Sequence, residues 1–429
     1  MEYPQGMAKT APREHTRKRL GRSSRLTAAP PKKESKPMNR NLHAAKAAKQ
    51  DEFYTQYVDI QKEVEAYLEF DPDTFRGKVL YCNCDDPFES NFFKYFAANF
   101  NKLGLKKLVT TSYDGSPIAG AQLTFGEYGE GNGKRQKPKA IAVEIEEVKD
   151  VNGDGATGIE DVKLFLEQNP HTRTPLAQGG DFRSAECVEL LKQSDVVVTN
   201  PPFSLFREYV AQLVEHGKKF LIIGNQNAIS YKEVFRLVKE TQIWLGYKSG
   251  DMAFRVPDYY EPRETRYWED DDGHKWRSMG NACWFTNLDH GRRHQELPLM
   301  TMADNLKFSK HKEIKGKAAY DRYDNYDAIE VPFTDAIPSD YDGTMGVPLT
   351  FLDKHNPEQF EILGRSENED LYGLKTRVYT TKECQAAYRR LFGKKGTYDM
   401  NATPVLDGRK VYQRIFIRRR TRPAKGKKK

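Results

Sequence analysis

Four apolar runs of strand length recur along this chain, and the segments between them carry helical spacing. That alternation restricts the fold more than any other feature. Lys78–Cys82 (KVLYC) is followed by SNFFKYFAANF, whose aromatics recur at helical period. Leu105–Ser112 is a second run, and Asp195–Thr199 (DVVVT) is a third, with a helix expected over Arg207–Glu215. Lys219–Gly224 (KFLIIG) is a fourth. Strands separated by helices place parallel strands in one sheet with helices on both faces, and ligands then bind beyond the carboxyl ends of the strands. The fold class is therefore α/β, and the chemistry belongs in the turns that follow these strands.

Bulk properties bound the remaining choices. A chain of 429 residues that is 38% hydrophobic and 30% charged suits a globular protein with one large domain and a smaller region. No apolar run approaches membrane-spanning length, and no apolar signal core follows the basic N-terminal residues. The reading is a cytoplasmic protein with no membrane partner. Cys82, Cys84, Cys187, Cys283 and Cys384 are odd in number and scattered, which suits a reducing compartment. Cys82 and Cys84 alternate along a strand with no second ligand pair at zinc spacing, so no structural zinc is expected.

The net charge of +8 is unevenly distributed. Residues 1–50 hold 13 Lys/Arg against 3 Glu, and residues 409–429 hold 11 Lys/Arg and no acid. The 51–408 body is left with 45 basic and 58 acidic residues, a net charge of −13. Basic arms of this kind either touch phosphate backbones or solubilise the chain. Residues 1–37, rich in Pro, Ser, Lys and Arg, are expected to be disordered.

The turn after DVVVT carries the most specific signal: Asn200, Pro201, Pro202 and Phe203. An exocyclic amine on an aromatic base is a poor nucleophile because its lone pair is delocalised into the ring. The Asn200 carboxamide oxygen, with the Pro201 carbonyl, could accept both amine hydrogens and free that lone pair to attack a sulfonium methyl. Two prolines stiffen the turn and remove competing N–H donors. Phe203 offers a flat face to a base extracted from a duplex. The competing reading is a plain proline turn at a strand end.

About twenty residues earlier, Gly179–Ser184 (GGDFRS) forms a second turn. Asp181 could accept the adenine amino group of a nucleotide cofactor while Phe182 covers its ring; alternatively, Asp181 caps a helix and Phe182 is core. A third segment, Asp150–Asp161 (DVNGDGATGIED), places Asp150, Asn152, Asp154 and Asp161 at the ligand spacing of a calcium loop, with Gly155 at the sixth position. The preceding IAVEIEEV reads as a strand, position eight is Thr157, and position twelve is the short Asp161. A polar turn is the preferred reading there, and no metal is assigned.

These residues resemble the EcoRI-type adenine-N6 DNA methyltransferases, from about Asn39 to about Gln359. The resemblance rests on the NPPF turn, DEFYTQY at Asp51–Tyr57, and the ordered fragments GDFRS, VVVTNPPFS, FLIIGNQNAISYKEVF, IWLG, CWFTNLD, YDNYDAIEV and DGTMGVPLTFL. It implies a Rossmann-like methyltransferase sheet, S-adenosyl-L-methionine as cofactor, and double-stranded DNA as substrate. Phe53, Tyr54 and Thr55 would line the methionine end of the cofactor. YCNCDDPFES stands where methyltransferases usually carry a glycine-rich loop, and here no glycine lies between Tyr81 and Phe100. Among Asn83, Asp85 and Asp86, position favours Asp85 as the cofactor-facing residue. The resemblance also implies a bacterial cytoplasm, a monomer, and a cognate restriction endonuclease as candidate partner.

The motif order divides the chain into a cofactor-binding catalytic domain over 38–245, with an insertion at about 117–178, and a region over 246–420. The latter holds the remaining strands and a target-recognition part rich in Tyr, Trp, Arg and Asn. Lys410–Arg420 (KVYQRIFIRRR) alternates as a basic strand, either a phosphate-contacting edge or an edge protected by charge. No Pro-Cys nucleophile accompanies the active turn, which argues against cytosine C5 chemistry. Two alternatives remain: transfer to an RNA amine or a glutamine amide, and a catalytically silent DNA-binding relative.

Overall fold

A computed structural model describes residues 54–85, 90–114, 140–151, 153, 157–169, 172–256 and 260–420. The basic segments 1–50 and 421–429 lie outside them, as do Phe53, Asp86, Asn152, Asp154 and residues 115–139 of the insertion region.

The described chain opens on a two-residue strand, β1 (Tyr54–Thr55), and a helix, α1 (Tyr57–Phe70), which turns Ile60, Glu63, Val64 and Tyr67 inward. Strand β2 (Val79–Asn83) buries Leu80, Tyr81 and Cys82 completely, as a strand covered on both faces must. The Ser90 hydroxyl then starts α2 (Asn91–Ala98) by accepting the N–H groups of Phe92 and Phe93. A single turn, α3 (Phe100–Leu103), ends at Gly104 in the left-handed conformation and leads to β3 (Lys107–Thr111). The insertion supplies β4 (Ile141–Ile145), α4 (Ile159–Gln168) and β5 (Arg173–Pro175). Then come α5 (Ala185–Gln193), β6 (Val196–Thr199), α6 (Phe206–Glu215), β7 (Lys219–Asn225) and α7 (Lys232–Lys239). A run of strands follows: β8 (Trp244–Ser249), β9 (Met252–Val256), β10 (Tyr267–Glu269), β11 (Lys275–Met279) and β12 (Ala282–Thr286).

Eight of these strands form one sheet in the order β5-β4-β3-β2-β6-β7-β12-β8. The strands expected from the sequence to lie parallel form its centre, β3-β2-β6-β7. The flanks are antiparallel, so the sheet is mixed. In the centre, α2 and α3 lie between β2 and β3, and α6 lies between β6 and β7, and helical crossovers of this kind join parallel neighbours. Alternate residues feed two cores. Leu80, Val196, Val198 and Leu221 face Phe92 and Phe96 of α2, while Tyr81, Val197 and Ile222 face Phe206 and Tyr209 of α6. Helices thus cover both faces.

Chain direction in the sheet diverges at β2 and β6: β3 extends from one side of the pair and β7 from the other. A crevice opens at the carboxyl ends of strands where the order reverses in this way. Residues after Asn83 and after Thr199 therefore flank it.

A second sheet, β1-β9-β11-β10, clamps the N-terminal segment onto the later chain, pairing Tyr54 with Arg255 and Thr55 with Phe254. The C-terminal part contains α8 (Met302–Phe308), β13 (Ile329–Glu330), β14 (Met345–Val347), β15 (Phe360–Arg365), α9 (Thr381–Phe392), a short hairpin of β16 (Val405–Leu406) and β17 (Arg409–Lys410), and β18 (Ile415–Arg419). The order β13-β14-β18-β15 puts β18 inside a sheet, with Ile415, Phe416 and Ile417 fully buried. This corrects the reading of Lys410–Arg420 as an edge strand: its apolar triplet is buried between β14 and β15, and the basic residues within β18 are only Arg418 and Arg419 at its end. The same core that holds α6 and α7 also takes Val347, Phe360 and Ile417. The boundary expected at residue 245 falls within β8.

Candidate active site

The site is assembled from four segments far apart in sequence. Strand β6 ends at Thr199, whose hydroxyl donates to the Asn83 carbonyl and so locks the ends of β6 and β2 together. The chain then passes through Asn200, Pro201 and Pro202 into a 3-10 turn, Phe203–Leu205, before α6. The Asn200 amide donates to the Thr55 hydroxyl at 3.3 Å. The Thr55 carbonyl in turn accepts the Asn91 amide at 2.7 Å, which joins β1 to the start of α2. Thr55 is 4% exposed, so this link is shielded from competing water. Phe203 is half-buried against the α2-side core.

The turn after β2 is built without glycine. Asn83 is buried and its side-chain oxygen accepts from the Thr111 hydroxyl at 3.0 Å. Cys84 takes the left-handed conformation, φ 65°, at a position where glycine is the usual solution. The reversal it creates turns Asp85 inward, where its side chain accepts from Ser90 at 2.7 Å and its carbonyl accepts from Thr110. Strand β2 ends two residues before Asp85, with Cys84 between. Burial pushes the Cys84 thiol well up, and the Asp85 charge reinforces the shift.

Gly179 and Gly180 have φ of 71° and 69°. A Cβ on Gly180 would lie 2.0 Å from the Ser112 carbonyl, so only glycine lets this turn close against the end of β3. Asp181 follows, and both its oxygens engage the Arg183 guanidinium, which holds its carboxyl below the usual range. Ser184, not Asp181, caps α5. Phe182 is a core residue, 3% exposed, with its ring edge-on to Tyr209 at 5.0 Å. The Asp181 charge adds to the upward shift of the Cys84 thiol and Arg183 opposes it.

Asp161 lies in the first turn of α4, where its two oxygens accept the N–H groups of Val151 and Gly158, both at 2.8 Å. Asp150 accepts the Gly153 N–H at 2.6 Å. The described carboxylates of this loop thus serve its backbone, and among the described residues no metal-ligand grouping contains them.

Comparison with known proteins decides the family. The profile described as adenine-specific methyltransferase EcoRI matches residues 41–420. Type II methyltransferase M.EcoRI of Escherichia coli is 46% identical over 333 residues, covering 76% of this chain and 89% of that protein. Type II methyltransferase M.MpnI of Mycoplasma pneumoniae is 38% identical over 345 residues, 79% of this chain and 90% of its own length. Type II methyltransferase M.MgeORF184P of Mycoplasma genitalium is 34% identical over 361 residues, 83% and 96% respectively. The chain belongs to the EcoRI adenine-specific methyltransferase family. No solved structure matches it significantly.

Within this EcoRI-family fold, hydrogen bonds link Thr55 to the Asn200 turn and Asn83 to the end of β6, with Asp85 two residues beyond Asn83. Asn91, Ser90, Thr110 and Thr111, which orient these groups, went unpredicted because they act only through tertiary hydrogen bonds. So did Glu63 on α1. It is fully buried, its carboxylate accepts the N–H groups of Tyr247 and Lys248 at 2.7 Å each, and burial pushes its pKa up to about 7 against those bonds. Glu63 ties α1, and so β1 just before it, to β8. Gly246 leaves it room, since a Cβ there would lie 2.3 Å from the carboxylate.

Proposed function

We propose that this protein transfers a methyl group from S-adenosylmethionine to the N6 amino group of adenine in duplex DNA. The observation that carries this reading is the Asn200 carboxamide, set at the carboxyl end of β6 beside the divergence of the sheet and oriented by Thr55. The Type II methyltransferase designation of the relatives supports DNA as substrate.

The donor set suits the cofactor. A carboxylate kept ionised by Arg183 at the Gly179–Asp181 turn can accept amine or hydroxyl hydrogens, and the inward Asp85 provides negative potential near a sulfonium. When bound, S-adenosylmethionine supplies an electrophilic methyl group. The protein has to make the adenine amine nucleophilic and keep it in line. Asn200 Oδ1 and the Pro201 carbonyl accept the two N6 hydrogens, which draws nitrogen toward tetrahedral geometry. Pro201 and Pro202 carry no N–H to compete for those acceptors. Phe203 offers its ring to a base flipped from the stack, and direct attack needs no covalent enzyme intermediate.

The test is incubation of purified protein with isotopically labelled S-adenosylmethionine and, separately, duplex DNA, RNA and a glutamine peptide. Label recovered as N6-methyladenine from DNA alone supports the proposal; label in RNA or peptide replaces it.

A further inference from the structure

We propose that the C-terminal module around α9 is a cationic clamp for the phosphate backbone of the DNA flanking the target base. This deepens the preceding proposal and rests on duplex DNA being the substrate. Residues 51–370 hold 38 Lys/Arg against 55 Asp/Glu, whereas residues 371–420 hold 13 against 3. A body with a net charge of −17 repels a polyanion, so its cations have to be concentrated where the duplex lies.

The structure shows where they sit. β18 is interior and Arg414 is spent on Glu330, so the strand is not the contact. The exposed charges are instead on the end of α9 and the neighbouring hairpin. Arg389, Arg390, Lys394, Lys395 and Arg409 are exposed and Lys410 is partly so. The two groups meet because Arg390 donates to the Gly408 carbonyl at 3.5 Å, and the Tyr398 hydroxyl bonds the same carbonyl at 3.4 Å. Among the described residues none of the six is ion-paired with a carboxylate. Arginines in the last turn complement the helix dipole, but Lys394, Lys395, Arg409 and Lys410 lie beyond that turn and gain nothing from it. Phe392 and Tyr412, close in sequence to these cations, are 57% and 85% exposed.

The module is rigid enough to position charge. It has its own core of Tyr379, Cys384, Ala387, Met400 and Val405. A capping box between Thr380 and Glu383 starts α9, and Gly393 at φ 67° ends it. Asn325 holds the module to the main fold by accepting the Val405 N–H at 2.9 Å and donating to the Thr403 carbonyl at 3.2 Å.

Duplex affinity measured by fluorescence anisotropy across a KCl series, with methylation measured in parallel, tests this. Arg389→Gln/Arg390→Gln/Lys394→Gln/Lys395→Gln should flatten the slope of log affinity against log salt by about 2 to 4, at roughly 0.9 per lost phosphate contact, with kcat at saturating DNA unchanged. The charge-preserving Arg389→Lys/Arg390→Lys and the distant Lys312→Gln/Lys315→Gln should keep the wild-type slope. A wild-type slope in the quadruple variant, or equal loss in the Arg→Lys protein, overturns the clamp while leaving DNA methylation standing. Failure of the unaltered protein to methylate DNA overturns the substrate assignment itself.

Discussion

The Asn200 amide donates a hydrogen bond to the Thr55 hydroxyl across 145 positions of sequence. One N–H of the carboxamide is thereby committed to β1, which leaves Oδ1 with the chemical role of acceptor that amine activation requires. Thr55 is itself held by the β1–β9 pairing and by Asn91, so the orientation of the Asn200 turn depends on a clamp between the N-terminal segment and strands formed much later.

Removing only the hydroxyl tests that dependence. Thr55→Val should lower kcat roughly 5- to 30-fold, about 1 to 2 kcal/mol, the worth of one shielded hydrogen bond, while cofactor affinity changes less. Steady-state kinetics with cofactor titration measure both. An unchanged kcat would show that Asn200 is oriented without Thr55.

Two buried groups give opposite pH signatures. Burial pushes the Glu63 carboxyl from 4.5 up to about 7, so the native state keeps a proton that the unfolded chain releases. Its contribution to stability is present below pH 4.5 and lost as pH rises to 7. Burial pulls the His290 imidazole from 6.5 down to about 4, so its contribution is present above pH 6.5 and lost as pH falls to 4. Urea denaturation between pH 4.5 and 7.5 should therefore show a steeper rise of stability with pH in Glu63→Gln and a shallower one in His290→Gln, by up to about 1.4 kcal/mol per pH unit. Parallel curves for wild type and variants would refute both assignments.

The Arg414–Glu330 pair is 9% and 7% exposed, and Glu330 also accepts from Tyr323. Arg414→Ala would leave a buried carboxylate without its cation and should cost about 3 to 5 kcal/mol in chemical denaturation. The double variant Arg414→Met/Glu330→Leu should recover most of that loss, because it removes both desolvated charges. No recovery would mean the pair contributes more than it costs to bury.

The parallel centre of the sheet was legible because β2, β6 and β7 are dominated by apolar runs that a doubly covered strand tolerates, and β3 is a β-branched segment of strand length between helical ones. The NPPF turn was legible because two prolines must follow a strand end rather than continue one. Other features depended on partners that periodicity does not encode. Tyr54 and Thr55 read as part of a cofactor motif, yet their pairing with β9 closes about 200 residues of chain. Lys410–Arg420 read as a charged edge because alternation reports amphipathy, not which neighbours flank a strand. Phe182 read first as a cover for a cofactor ring, with the core as the alternative; the ring contact with Tyr209 of α6 comes from a partner that periodicity does not encode. Glu63 carried no local signal, since a carboxylate on a helix is ordinarily solvated and only β8 makes this one interior.

The central claim is that Asn200 activates adenine N6 for methyl transfer. The most direct measurement is methylation-sensitive long-read sequencing of DNA from cells expressing the wild-type chain or Asn200→Ala. The account predicts N6-methyladenine at one short recurrent sequence in the wild type and its loss in the variant, with purified Asn200→Ala still binding S-adenosylmethionine. Undiminished methylation in Asn200→Ala, or unmodified DNA from cells making folded, cofactor-binding wild type, would contradict it.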